Sequence, residues 1–78
     1  MTNLEMYNAA FCETLNVEEA QLAGLKYQDI PEWDSVGHMS LVAAIEDAFD
    51  IMMETDDIID LSSYEKGKEI MKKYDVEI

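Results

Sequence analysis

Apolar residues fall at Leu4, Tyr7, Phe11 and Leu15, at steps of three, four and four. That spacing lays them along one face of an α-helix. Thr2, with Glu5 three residues later, reads as a capping box at its start. A second stripe, Val36, Met39, Val42, Ile45 and Phe49, steps by three, three, three and four. It predicts a helix from about Ser35 to Asp50, with Asp34 as N-cap. Thr55-Asp56-Asp57-Ile58-Ile59 predicts a short helix capped by Thr55, with both aspartates in its positive first turn. Ser62-Ser63-Tyr64-Glu65 reads as another capping box, opening a last helix. Its inner stripe is Tyr64, Gly67, Met71 and Tyr74, with Ile70 beside it. Lys72 and Lys73 fall in its last turn, where cations are favoured. No β-alternation is sustained, so strands are not expected. The expected fold is all-α: a small four-helix bundle with three longer helices and one short one.

Between the first two helices, residues 16–33 keep no sustained period and include Gly24 and Pro31. Val17-Glu18-Glu19-Ala20-Gln21-Leu22 suits a helical turn. Leu22, Leu25 and Ile30 are the expected anchors to the core. Pro31 disfavours helix at Ile30 and helps to set where the next helix begins. A connection of this length in a small domain is usually functional or poorly ordered.

Size and charge narrow the possibilities. With 78 residues the chain is expected to form one domain, residues 1–78. It has room for a small helical core and none for an enclosed active site with its own lid. Eighteen acids against five lysines give a net charge of −13. Residues 1–61 hold fourteen of the acids and only Lys26, whereas residues 62–78 balance four acids with four lysines. Nucleic acid and anionic membrane are poor partners for such a surface, and basic protein patches are good ones. Cys12 is the only cysteine, so no internal disulfide is expected. It lies on the flank of the first stripe and reads as a half-buried small hydrophobe. The start Met1-Thr2-Asn3-Leu4-Glu5 is unlike a signal peptide, and no apolar run approaches the ~20 residues of a membrane span. A monomer in a reducing cytoplasm is the expectation.

The chemistry centres on Glu32-Trp33-Asp34-Ser35-Val36-Gly37-His38-Met39. Ser35 opens a helix, where backbone N–H groups lack partners and the dipole is positive. A phosphate ester on its hydroxyl would be stabilised there. Asp34-Ser35-Val36 resembles the Asp-Ser-Leu signature of acyl carrier proteins, with Val36 in place of leucine. The resemblance extends over nearly the whole chain: helix, long loop, serine-headed helix, short acidic helix and last helix. It implies that Ser35 bears 4′-phosphopantetheine, with Asp34 as part of the motif. It also implies that the protein carries acyl groups as thioesters and is not itself an enzyme. Fatty acid, lipid, polysaccharide-modifying and secondary-metabolite pathways all fit. The implied partners are a phosphopantetheinyl transferase, a loading ligase or acyltransferase, and the synthases or transferases that use the cargo. A flexible arm suits such a carrier because it raises local concentration without tight binding.

Other readings compete. An aminoacyl or peptidyl carrier usually shows Gly-Gly-x-Ser, which Glu32-Trp33-Asp34-Ser35 does not match. From another class, a small acidic interaction module without a prosthetic group fits the charge. A catalytic serine would need His38, three residues on, as base, but no third group orients it and no Gly-x-Ser-x-Gly elbow is present. His38 reads as an exposed residue near the arm. Asp50, Glu54, Asp56, Asp57 and Asp60 lack the spacing of a calcium loop and read as a solvated acidic face, so no metal site is expected. Ser40, Ala43, Glu46, Asp47 and Asp50 lie off the buried stripe. The resemblance makes that face a surface for basic partners, a role that Glu46 and Asp47 fit and from which Ser40 and Ala43 depart. A merely solvated face is the competing reading. Gly37 weakens its turn, and its missing side chain reads either as leaving backbone open beside Ser35 or as mere tolerance near a helix end. Met39, Met52 and Met53 suit core filling or an adaptable pocket. A sheltered acyl chain would need a gap lined by Val42, Ala44 and Ile45 with Met53, Ile58 and Leu61.

Overall fold

A computed structural model describes residues 2–78. Four helices make the body: α1 (Asn3–Leu15), α2 (Ser35–Phe49), α3 (Thr55–Asp60) and α4 (Tyr64–Lys73). A 3₁₀ turn, Glu19–Gln21, interrupts the connection after α1. The all-α class and the succession of three longer helices and one short one agree with the sequence pattern. Several caps and faces do not.

α1 begins as expected. The Thr2 hydroxyl accepts from the Glu5 N–H, and the Glu5 carboxylate accepts from the Thr2 N–H. That second bond holds the Glu5 carboxyl below its ordinary range. The helix ends at Asn16, which adopts the left-handed conformation with φ 56°. Tyr7, Ala10, Phe11 and Leu15 are buried, and Leu4 lies at the rim.

α2 packs along α1 but is rotated from the predicted face. Leu41, Val42 and Ile45 are buried, whereas Val36 is 76% and Met39 55% exposed. The inward stripe is His38, Leu41, Val42, Ile45 and the half-buried Phe49. Trp33 explains the rotation. It is completely buried just ahead of the helix and fills that end of the core, so the first turn of α2 need not. Of Met39, Met52 and Met53, read from the sequence as core filling or an adaptable pocket, Met53 is buried, Met39 is 55% exposed and Met52 is 83% exposed.

The long connection is ordered by backbone pairing. Tyr27 N–H donates to the Ser62 carbonyl and Tyr64 N–H to the Leu25 carbonyl, each at 2.9 Å. This single antiparallel bridge ties the connection to the start of α4. Leu22 and Leu25 are buried and Ile30 is half-buried, in line with their expected anchoring.

At α3 the N-cap is Glu54, not Thr55, and no side chain caps the helix. Asp57 is the larger correction. The sequence pattern puts it on a solvated face, yet it is buried. Lys73 Nζ donates to its two oxygens at 3.0 and 3.2 Å, and the Tyr74 hydroxyl donates to Oδ2. Tyr74 in turn accepts from the Glu54 N–H at 2.8 Å. The short helix is thereby clamped to the end of α4. The Tyr74 hydrogen bond, followed by Lys73, holds the Asp57 carboxyl below its ordinary range.

α4 is capped by Ser63, whose hydroxyl accepts from Lys66 N–H. The residue three after this cap is lysine, so the reciprocal capping box read from Ser62 and Glu65 does not form. Gly67 is required here, because a Cβ would collide with the Tyr7 hydroxyl. That hydroxyl donates to the Tyr64 carbonyl at 2.7 Å and joins α1 to α4. Phe11 meets both Trp33 and Tyr64 edge-on, with ring centroids 5.6 and 5.3 Å apart. Cys12 is half-buried beside this core, and burial pushes its thiol pKa up.

Candidate functional site

Asp34 is the N-cap of α2, as expected. Its backbone is extended, and its carboxylate accepts from Gly37 N–H at 2.8 Å. Its carbonyl accepts from His38 N–H at 2.7 Å. Ser35 is therefore the first helical residue, exposed on the positive end of a fifteen-residue helix. Gly37 permits a close approach, since a Cβ there would collide with the Glu32 carbonyl oxygen. The preceding turn takes up the space of the missing side chain, so the expected open backbone beside Ser35 is corrected.

The Ser35 hydroxyl lies 3.4 Å from the Tyr27 hydroxyl. Both stand at a cavity of about 360 Å³ between the head of α2 and the far side of α3. Met39, Ile58, Ile59 and Leu61 give it an apolar lining. Tyr27 and His38 wall it, and Ser35 and Ser62 border it. Its place differs from the expected gap. Ile58 and Leu61 belong to it, but Val42, Ala44, Ile45 and Met53 do not. Val42, Ile45 and Met53 are packed in the core, and Ala44 lines a separate groove against α1.

His38 lines the cavity beside Ser35, and its expected exposure is corrected. The ring is half-buried and stacks on Trp33 with the planes 15° apart. Tyr27 meets it edge-on at 5.3 Å. The Trp33 indole N–H lies 3.0 Å from Nδ1. An indole N–H can only donate, so Nδ1 accepts and the proton of neutral imidazole resides on Nε2. Nε2 then donates to the Ile58 carbonyl at 2.7 Å. Both nitrogens are engaged and neither bonds to Ser35, so the alternative pairing of Ser35 with His38 as base is not formed.

The acidic side chains divide as well. Ser40, Ala43, Asp47 and Asp50 are exposed. Glu46 is half-buried, and its carboxylate accepts from Met53 N–H at 2.8 Å, which shapes the turn into α3. Among the described residues no three His, Cys, Asp or Glu side chains converge as a metal set. No helix among them is long and apolar enough to cross a membrane.

The motif residues Asp34 and Ser35 occupy the places the sequence assigns them. Tyr27, Trp33 and Ser62 escape sequence reasoning as site residues. The available signal is the aromatic pair Tyr27 and Trp33 flanking an otherwise polar loop. No family model matches the chain, and no curated protein or solved structure does so either.

Proposed function

We propose that the protein is an acyl carrier, with 4′-phosphopantetheine attached through a phosphodiester to the Ser35 hydroxyl. One observation carries this reading. Ser35 is exposed on the first turn of α2, behind an Asp34 cap and at the mouth of an apolar cavity. The helix end favours the anionic phosphate. The exposed hydroxyl leaves room for a transferase, and the cavity offers an acyl chain somewhere to rest. Bound there, the prosthetic group supplies the thiol that forms the cargo thioester. The protein supplies the anchor, the surface that partners address and the lining against which cargo lies.

In this reading the fold is of acyl-carrier type, and the chain acts as a cytoplasmic monomer. A phosphopantetheinyl transferase modifies it, a ligase or acyltransferase loads it, and cargo-using synthases or transferases unload it. Exposed Asp47 and Asp50, at the end of α2, attract basic patches on those enzymes. Exposed Val36 and Met39, beside Ser35, add apolar contact at the head of the helix.

Intact mass spectrometry tests the proposal. Incubation with coenzyme A and a broad-specificity transferase is expected to add one phosphopantetheine. Ser35→Ala should add none while keeping the helical circular dichroism spectrum. Addition that survives this substitution would refute the assignment. Failure of the wild-type chain to be modified would favour an acidic interaction module instead.

A further inference from the structure

Ser35, His38, Val42 and Ile45 follow one another along α2 at steps of three, four and three. A chain starting at Ser35 and running between α2 and α3 toward Val42 and Ile45 must pass His38. At that level Nε2 donates to the Ile58 carbonyl on α3 at 2.7 Å, while Nδ1 accepts from Trp33 at 3.0 Å. The imidazole is thus a polar crossbar between the two helices. His38 lines the cavity, and Val42 and Ile45, further along the same face of α2, are buried in the core and do not line it.

Resting on the carrier reading of Ser35, we infer that His38 is a barrier that confines acyl cargo to the outer cavity and excludes it from the helical core. Entry to the core requires the Nε2–Ile58 bond to break. That leaves a carbonyl and an imidazole N–H facing an alkyl chain, which satisfies neither. No such loss attends a chain lying over Met39, Ile58 and Ile59. The cargo class that fits is acyl groups up to medium length, octanoyl among them, which can lie along Met39, Ile58 and Ile59 in the outer cavity. His38 is a specificity-determining residue in this scheme, not a catalytic one.

Methyl NMR of the holo protein, with a free thiol and with an octanoyl thioester, tests the barrier. In the wild-type chain octanoylation should shift Met39, Ile58 and Ile59 methyls and leave Val42 and Ile45 where they were. His38→Ala opens the crossbar, and octanoylation should then shift Val42 and Ile45 as well. His38→Gln offers a carbonyl to Trp33 and an amide N–H to Ile58, and should restore the wild-type pattern. Shifts at Val42 and Ile45 in the octanoylated wild type would overturn the inference, whether or not the alanine variant folds. Unchanged Val42 and Ile45 in a folded His38→Ala protein would overturn it too. If Ser35 accepts no prosthetic group, the carrier reading fails at the mass measurement. The barrier is then tested in Cys12→Ser, Ser35→Cys protein carrying an octyl disulfide at the same cavity mouth, with the same shifts expected.

Discussion

Around Phe11 the chain buries rings against rings: Tyr7, Trp33 and Tyr64 all pack on it, with Tyr7 and Trp33 completely buried. Around α3 the helix has six residues, and its Ile59 is 72% exposed. What holds α3 is chiefly polar: Asp57 to Lys73 and Tyr74 on one side, and His38 to the Ile58 carbonyl on the other. Apolar burial is non-directional and sums over a large area, so the aromatic region resists local opening. A few directional bonds give α3 its position while leaving Ile59 uncovered and Ile58 only half-buried. The least stable parts of a fold are those that open for ligands. On the proposed carrier reading, the α3 side, where the cavity lies, is the working side, and the aromatic side is its support.

The largest effect should come from breaking the support. Phe11→Ala removes the ring that three aromatic neighbours share and should cost about 3–5 kcal/mol. Against a total of roughly 5–15 kcal/mol for a small domain, that is a large fraction. Urea denaturation followed by circular dichroism measures it. A loss under ~1 kcal/mol would mean that the aromatic region is not the support, against the usual range for such a truncation.

Asp57→Asn tests the clamp instead. Amide exchange should accelerate through α3 and stay slow in α1, a local effect that a global loss of stability would not produce. The same clamp should fail in acid. The folded state holds Asp57 below its ordinary value of 3.8, so the unfolded chain takes up the proton first as pH falls. The stabilisation from Asp57 is therefore complete above that value and is lost as pH drops through the lower folded value. Hydrogen exchange or melting temperature between about pH 5 and pH 2, compared with Asp57→Asn, should show the wild-type advantage shrinking. An advantage that persists undiminished at low pH would exclude the carboxylate as its source.

The acids on α2 provide a finer comparison, because Glu46 holds a backbone N–H and Asp47 does not. Glu46→Lys should lose about 0.5–1.5 kcal/mol with the Met53 bond, while Asp47→Lys should stay within about 0.5 kcal/mol. On the carrier reading, both should slow association with the proposed basic partner enzymes, more at low than at high salt. Equal stability of the two variants would remove the structural role assigned to Glu46. The smallest effect concerns the whole surface. A net charge of −13 repels itself, so moderate salt or millimolar magnesium should raise the melting temperature. A melting temperature indifferent to both would show that the lysines of α4 already compensate the acidic side.

Some of this architecture is written in short-range pattern. The Thr2–Glu5 box, the Asp34 cap and the stripe of α1 depend on residues within a few positions of one another, so the sequence alone determines them. The exposed hydroxyl of Ser35 at a helix head follows from the same local rules. The acidic character and the single short α3 are equally legible. The rotation of α2 is not. Stripes through Val36 and Met39 and through His38 and Leu41 both satisfy the helical period, and burial of Trp33 from the preceding loop selects the second. Nor does the chain around Asp57 announce that a first-turn aspartate will turn inward. Its partners Lys73 and Tyr74 lie sixteen and seventeen residues away, and only packing of α3 on α4 brings them together. The cavity belongs to the same class. Tyr27, Ser35, Ile58 and Ser62 meet because the Lys26–Ser63 bridge draws the long connection against the start of α4. Periodicity and capping are local energies that a sequence displays directly. Which face wins, and which distant charges meet, is set by how apolar volume is filled once the helices pack, and that choice exists only in three dimensions.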